Sequence, residues 1–297
     1  MYYNDQTTVF LNGKFLKAAQ AQASLYNQTM HYGSGVFEGI RSYSTSDGPK
    51  VFKCKEHYER LFYSAEKMHI KLNYSTEELS EITYLLLKKN NLSNAYIRPL
   101  VYLGDNMSLT PTENVNLFMA AWEWGNYLGD KQLRVLLSSY QRPNPNSCHV
   151  DAKVVGHYTN SILATTEAKA KGFDEALLLD AKGFVAEGSG ANFFFEKDSK
   201  LFTAPKGNIL PGITRATVFE IAEELGMKVE EKYFTPEELK DADSAFFCGT
   251  AAEVVGIASL NDHPFRSKWE DSMGYTIQFK YKKMVMHNET RVESVYK

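Results

Sequence analysis

Any chemistry in this chain is concentrated in a few short segments. Lys153 stands in Val150-Asp151-Ala152-Lys153-Val154-Val155-Gly156-His157-Tyr158, among mostly apolar neighbours that lead into a helix pattern. A lysine held in a half-buried apolar site gives up its proton readily and can form Schiff bases. The other reading is a lysine whose stem packs at a strand end while its ammonium reaches water. Pro211-Gly212-Ile213-Thr214 opens a helix pattern and can present backbone N–H groups to one phosphate. An ordinary Pro–Gly helix start has the same sequence. Cys248-Gly249-Thr250-Ala251-Ala252 is a turn of small residues after an apolar run. It either brings N–H groups against a phosphate or carboxylate, or it is chosen for packing. Ala186-Glu187-Gly188-Ser189-Gly190-Ala191-Asn192 sets a carboxylate beside glycines that let a flat ligand approach the backbone. A hairpin turn with an exposed glutamate is the alternative. Arg98 lies in Tyr96-Ile97-Arg98-Pro99-Leu100, where strand period 2 puts Tyr96 and Arg98 on one face. An arginine among apolar strand residues needs an anionic partner, either a ligand or an internal carboxylate.

The elements that must position these residues alternate without a regular βαβ rhythm. Asn12-Gly13 between two apolar runs is a hairpin signal. Helices are expected over 55–70, with Tyr58, Leu61, Phe62 and Ala65 at helical spacing, and from Ser75 to about Lys89 behind a Ser75/Glu78 capping box. Strands are expected over 95–103, 115–122 and 133–139. The glycines of Trp124-Gly125-Asn126-Tyr127-Leu128-Gly129-Asp130 mark a connection, and the prolines and asparagines of 141–147 mark a loop. Beyond them, a helix over 157–171 stops at Gly172, and strands follow over 175–180, 192–196 and 200–204. A helix from Pro211 to Gly226, a strand over 228–234, a short helix capped by Thr235 and Glu238, and a buried strand over 244–248 complete the reading. The fold class is α+β. The stretch after Asp262 carries few signals.

Composition removes several function classes. With 43% hydrophobic residues, 18 Phe and 18 Tyr, the chain has far too much apolar and aromatic material for a disordered one. Its 33 basic and 36 acidic side chains give a net charge of −3 and no basic stripe, so nucleic acid is not an expected partner. No apolar run approaches the roughly 20 residues of a membrane span, and the polar start Met1-Tyr2-Tyr3-Asn4-Asp5 lacks a signal-peptide core. Cys54, Cys148 and Cys248 are isolated and odd in number, which points to the cytoplasm. Seven histidines show no HExxH and no paired spacing, so no metal is expected. There is no GxGxxG, no GxSxG and no GxxxxGK[ST].

In order along the chain, the segments resemble one family, the branched-chain amino-acid aminotransferases, which are fold-type IV pyridoxal-phosphate enzymes. The resemblance runs from about Phe10 to Leu260. It is carried by His31-Tyr32-Gly33-Ser34-Gly35-Val36-Phe37-Glu38-Gly39-Ile40-Arg41, Glu56-His57-Tyr58-Glu59-Arg60-Leu61, Ala95-Tyr96-Ile97-Arg98-Pro99-Leu100 and Trp124-Gly125-Asn126-Tyr127-Leu128-Gly129. It continues through Ala152-Lys153 with Gly156 and Tyr158, Glu187-Gly188-Ser189-Gly190-Ala191-Asn192, Leu210-Pro211-Gly212-Ile213-Thr214-Arg215 and Gly249-Thr250-Ala251-Ala252-Glu253.

The resemblance implies a small α+β domain (1–125), an interdomain loop (126–136) and a larger pseudo-barrel domain (137–297), with the active site between the domains. It implies pyridoxal 5′-phosphate held by Lys153 as a Schiff base. Arg60, Ile213, Thr214 and Thr250 would bind the phosphate, Tyr158 the ring O3′, and Glu187 the pyridine nitrogen. Leu210 and Gly190 would pack near the ring. On the substrate side, Tyr32, Phe37, Trp124 and Tyr127 resemble the aromatic walls of the side-chain pocket. Tyr96 with Thr250 and Ala251 resembles the α-carboxylate site, and Arg98 resembles the receptor of the distal carboxylate of glutamate. The implied reaction is ping-pong transamination between Leu, Ile or Val and 2-oxoglutarate, with Lys153 moving the Cα proton. A homodimer or larger homo-oligomer is implied, a partner's small-domain loop closing the pocket. The sequence departs from many relatives at Val154, Val155 and His157, where two glycines and an asparagine are common. D-amino-acid aminotransferase and the lyase that makes 4-aminobenzoate share the fold. Gly39-Ile40-Arg41, Tyr96-Ile97-Arg98 and the Trp124 loop favour the branched-chain type over both. A non-catalytic binding protein would be marked by loss of the lysine or the phosphate cup, and neither is lost; a cofactor-free Schiff-base aldolase using Lys153 would leave the phosphate cup and Glu187 without a purpose.

Overall fold

The computed structural model describes residues 2–124 and 131–287. The first half is one sheet backed by two helices. β1 (Thr8–Leu11) and β2 (Lys14–Lys17) form the hairpin expected at Asn12-Gly13, whose φ values of +48° and +84° make the type I′ turn that matches strand twist. After α1 (Gln28–Tyr32) come β3 (Val36–Phe37), β4 (Ile40–Thr45) and β5 (Gly48–Val51), then α2 (Cys54–Lys67), α3 (Thr76–Lys89), β6 (Ala95–Leu103) and β7 (Val115–Glu123). Strand order is β2-β1-β7-β6-β4-β5, with β3 also on β6. The Ser75/Glu78 capping box forms at the start of α3, with both bonds made. Leu61 and Ala65 of α2 and Leu79, Leu86 and Leu87 of α3 bury against Ile97, Val101 and Met119 of the sheet.

The second half contains β8 (Leu133–Gln141), α4 (Tyr158–Ala170), β9 (Glu175–Leu179), β10 (Val185–Gly188), β11 (Asn192–Lys197), β12 (Lys200–Thr203), α5 (Ile213–Glu224), β13 (Val229–Glu231), β14 (Ser244–Gly249), β15 (Glu253–Leu260), β16 (His263–Pro264) and α6 (Met273–His287). Its sheet runs β10-β9-β8-β15-β14-β11-β12-β13, and a further β10–β11 pairing closes β10, β9, β8, β15, β14 and β11 into a ring. That ring is the pseudo-barrel. The closing contact is one residue pair, Glu187 with Asn192. Phe193, Phe195 and Phe247 fill the barrel interior, whereas Phe194 and Phe246 stack outside it, 5.0 Å between centroids, under α5 and α6. Strands buried on both faces read as unbroken apolar runs, which is why Phe193-Phe194-Phe195 shows no alternation.

Several elements differ from expectation. The strand expected over 228–234 is only β13, because its ladder with β12 ends at Glu231. β4 hides in Ile40-Arg41-Ser42-Tyr43, where polar residues are buried beside apolar ones. β10 falls where a turn alone is expected, and β15 and α6 fall where no element is assigned. α6 buries one stripe, Ile277, Tyr281 and Val285, at four-residue spacing. Tyr281 packs edge-on to Phe52, next to β5, so the last helix also touches the first half.

The chain around Lys153 belongs to both halves. Ala152 and Val154 bury in the first half's core. The backbone there pairs with the β3 segment: Phe37 N donates to Lys153 O at 3.1 Å, Val155 N to Gly35 O at 2.8 Å and Gly156 N to Gly33 O at 3.0 Å. Gly33, at φ +72°, allows this approach, since a Cβ there would lie 2.7 Å from Gly156 Cα.

Candidate active site

A cavity of about 250 Å³ opens between β3 and β6 of the first sheet, the ends of β10 and β14, and the start of α5. Lys153 enters it from the segment just described, with its amide donating to Ser64 Oγ at 2.9 Å. Its Nζ donates to the hydroxyl of Tyr158, the first residue of α4, at 2.8 Å. The Phe37 ring lies 5.1 Å from that nitrogen and packs edge-on to Tyr158. Lysine, phenol and phenyl ring therefore form one contacting group in the lining of the cavity.

At one end, Glu187 is buried on the barrel's closing strand. Asn192 Nδ2 donates to its Oε2 at 3.1 Å, the Leu210 amide to its Oε1 at 3.1 Å, and Arg142 Nε lies 2.9 Å from Oε1. That last contact is an ion pair whose angle is poor for a hydrogen bond. Burial raises the Glu187 pKa, and the Arg142 charge and Leu210 amide offset this only in part.

At the other end, α5 begins at Ile213. Its N-cap, Gly212, has no side chain to satisfy the first N–H groups, and Ile213 and Thr214 face the cavity. Arg60 of α2 reaches the same place. Glu38 grips it bidentately, at 2.6 Å to Nε and 2.9 Å to Nη2, while its Nη1 donates to Pro211 O at 3.1 Å. Thr250, in the β14–β15 turn, completes this end beside Ala251. Gly190 and Leu210 line the wall between the two ends.

The first sheet supplies an aromatic wall. Tyr96 lies 4.6 Å from Trp124 and 5.3 Å from Trp122. Arg98 donates from Nη2 to Tyr96 OH at 3.1 Å and rests over the Phe37 ring at 4.5 Å. Among the described residues no carboxylate pairs with it, and its buried Nε has no partner. Of the two readings left open by the sequence, the internal ion pair is not formed among the described residues.

Tyr32 stands apart. It is 47% exposed, and its hydroxyl donates to Met107 O at 3.2 Å, away from this cavity. Tyr127 and most of its loop lie outside the described residues. Sequence reasoning assigned no part to Arg142, Asn192, Glu38 or His57. Arg142 has no signal beyond a basic residue at the edge of a proline loop; the other three sit inside the quoted motifs. His157, one of the unusual residues after Lys153, lines the cavity, and burial lowers its pKa. No helix among the described residues is long and apolar enough to cross a membrane.

The comparisons with known proteins agree with this geometry. Residues 35–260 match the family described as amino-transferase class IV. The chain is 42% identical over 259 residues to the branched-chain-amino-acid aminotransferase of Pseudomonas aeruginosa, covering 85% of this chain and 84% of that protein. The Escherichia coli enzyme of the same name is 39% identical over 261 residues, at the same coverage. Among solved structures, the branched-chain aminotransferase of Thermoproteus uzoniensis with norvaline superposes with a TM-score of 0.92 at 36% identity, covering 96% of each chain. The PLP-form of the branched-chain amino acid aminotransferase from Thermobaculum terrenum gives 0.89 at 30% identity, covering 95% of this chain and 94% of that one. A half-buried lysine–tyrosine pair lining one cavity with a buried carboxylate and an uncapped helix start, together with the matches above, places the chain in the class IV amino-transferase family, among the branched-chain aminotransferases.

Proposed function

We propose that this protein catalyses reversible, ping-pong transamination between L-leucine, L-isoleucine or L-valine and 2-oxoglutarate, using pyridoxal 5′-phosphate. The observation that carries the reading is what lines one cavity: a lysine Nζ bonded to a tyrosine hydroxyl, a buried carboxylate and an uncapped helix start. The residues present fit that cofactor. Uncapped N–H donors and a guanidinium suit a phosphate dianion. Gly212 lets the Asn192 side chain pack against the helix start, since a Cβ there would lie 2.0 Å from Asn192 Oδ1.

In this reading Arg60, Ile213, Thr214 and Thr250 hold the phosphate. Tyr158 faces the ring hydroxyl, Glu187 faces the ring nitrogen, and Leu210 and Gly190 flank the ring. When bound, the cofactor supplies an electrophilic carbonyl and an electron-withdrawing ring that stores the amino group between half-reactions. Lys153 Nζ takes the proton from the amino acid's Cα, and the hydroxyl of Tyr158 orients it. Phe37, Trp124 and Tyr127 form the apolar side-chain pocket. Tyr96 and the Thr250-Ala251 turn receive the α-carboxylate. Arg98, stacked on aromatic rings with no carboxylate paired to it among the described residues, receives the distal carboxylate of glutamate while apolar side chains pass it by.

The proposal extends to assembly. Leu25, Tyr26, Met30, Tyr32, Met107 and Leu109 form an exposed apolar group on α1 and neighbouring loops, with His31 Nε2 against Leu25 O and Asn106 N donating to Tyr26 O. An exposed group of this kind suits an interface. In a homodimer it would bring Tyr32 to the partner's pocket. The division at 126–136 into a small and a large domain, and work in the cytoplasm, belong to the same proposal. No observation favours the D-amino-acid or lyase alternatives.

Absorbance spectroscopy tests the reading. The cofactor-loaded protein should show a long-wavelength band that fades with L-leucine and returns with 2-oxoglutarate, and Lys153→Ala should lose both the band and at least about 10²-fold in rate. A band that answers only to a D-amino acid would move the function to the D-specific enzymes.

A further inference from the structure

Behind Arg60 and Thr250 lie two buried side chains, Glu38 and His57, to which the reaction as proposed gives no part. Glu38 sits in the link between β3 and β4 and is fully buried. Besides the two bonds from Arg60, it accepts from His57 Nδ1 at 2.7 Å and from the Gly39 amide at 3.2 Å. Burial alone would raise its pKa, but Arg60 and His57 hold it well below the usual carboxylate range. An ionised carboxylate can only accept, so His57 Nδ1 carries a proton. The other ring nitrogen, Nε2, faces Thr250 Oγ1 at 3.5 Å. Burial lowers the His57 pKa, and Glu38 offsets this in part. On a neutral ring, Nε2 is a lone pair, and the Thr250 hydroxyl is the donor that faces it.

Thr250 also lines the cavity end formed by Arg60, Ile213 and Thr214. Its hydroxyl has one proton to give. A phosphate dianion in that end competes with His57 Nε2 for this proton, and the charged acceptor makes the stronger bond. Nε2, on a fully buried ring, and Oγ1 would then face each other as lone pairs, which is unfavourable. A proton on Nε2 removes the conflict: Nε2 donates to Oγ1, and Oγ1 donates to the phosphate. Electrostatics point the same way. The charged groups that act on His57 are Glu38, in contact with it, and Arg60 and Lys153. The two cations oppose an imidazolium, and a dianion beside Arg60 offsets them.

We propose that His57 is a positioning residue which takes one proton from solvent onto Nε2 as a phosphate enters, so that the chain Glu38–His57–Thr250 clamps it. Loading the cofactor is then coupled to proton uptake. The inference rests on the reading of this cavity as a site for a phosphorylated pyridine.

The test is calorimetric titration of the full-length protein, stripped of cofactor, with pyridoxamine 5′-phosphate, which has no aldehyde to react with Lys153. Two buffers of different ionisation enthalpy are used, at a pH well above the second ionisation of a phosphate ester, about 6. The wild type should take up more protons per site than His57→Gln or Thr250→Val, by close to one. Protons taken up by the ring nitrogen are common to all three chains and cancel. Equal uptake in the three proteins overturns the inference and leaves the cofactor reading intact. Failure of the wild type to bind overturns both. Nitrogen NMR of the wild-type His57 ring gives the same answer without any substitution. Loading should protonate Nε2, and an Nε2 that stays unprotonated in the loaded protein sinks the clamp.

Discussion

Arg98 shows how little room a single residue has for ambiguity once its neighbours are known. A guanidinium half-buried on Phe37 and Tyr96, with one nitrogen sealed from water and no carboxylate against it among the described residues, fits the proposed role of receiving an anion from outside. Replacing it with methionine keeps much of the packing and removes the charge. A hydrogen bond to a charged group is worth about 1.5–3 kcal/mol. Arg98→Met should therefore raise the KM for 2-oxoglutarate roughly 10- to 100-fold while the half-reaction with L-leucine keeps its rate. Steady-state kinetics with each substrate varied in turn will check this, and an equal rise for both substrates would take the distal-carboxylate role from Arg98. The sequence placed Tyr96 and Arg98 on one face but left the arginine's partner open. Burial and the missing carboxylate are properties of the folded neighbourhood.

Elements act here through their ends. α5 delivers its uncapped start to the cavity because Pro211 and Gly212 lead into it, and β10 delivers Glu187 because the barrel closes on that residue's pairing with Asn192. The two ends are tied together: Asn192 Nδ2 donates both to Glu187 and to Leu210 O at 2.9 Å, just ahead of the helix. Gly212 has φ −70° and ψ 136°, which alanine adopts without strain, so only crowding is at stake. Gly212→Ala should displace the Asn192 amide, cost about 1–3 kcal/mol in stability and weaken cofactor binding tenfold or more. Thermal melts and an absorbance titration with pyridoxal 5′-phosphate measure the two effects. Unchanged affinity would mean that Asn192 does not hold this end of the site. The helix start was legible in Pro211-Gly212-Ile213-Thr214. The strand carrying Glu187 was not, since a glycine-rich turn and a short pairing that closes a barrel look alike in one dimension.

At the scale of the whole molecule, the cavity exists because the chain returns after β8 to lay Lys153 against the first sheet. Ala152 and Val154 anchor in that core, while Tyr158 begins a helix of the second half. The outer face of the first half carries Tyr32 and Leu109, the latter 88% exposed. Leu109→Glu puts a charge into the proposed interface, where burying it unpaired is costly. The variant should shift toward monomer in sedimentation and lose several-fold in activity as Tyr32 is withdrawn from the partner's pocket. A dimer that survives unchanged would place the interface elsewhere.

By itself the sequence determined the local elements with strong periodicity or caps, such as the Asn12-Gly13 turn, α3 behind Ser75 and α5 behind Pro211. It also determined the ordered motifs whose resemblance named the chemistry. Those signals are local, since they depend on residues a few positions apart. Only the tertiary structure decided that Arg142 and Asn192 face Glu187, that Glu38 and His57 stand behind Arg60 and Thr250, and that Tyr32 points away from its own cavity. Glu38 and Arg60 lie on separate elements, as do His57 and Thr250. What brings them together is the burial of two apolar cores, a sum over many distant contacts that no short segment records.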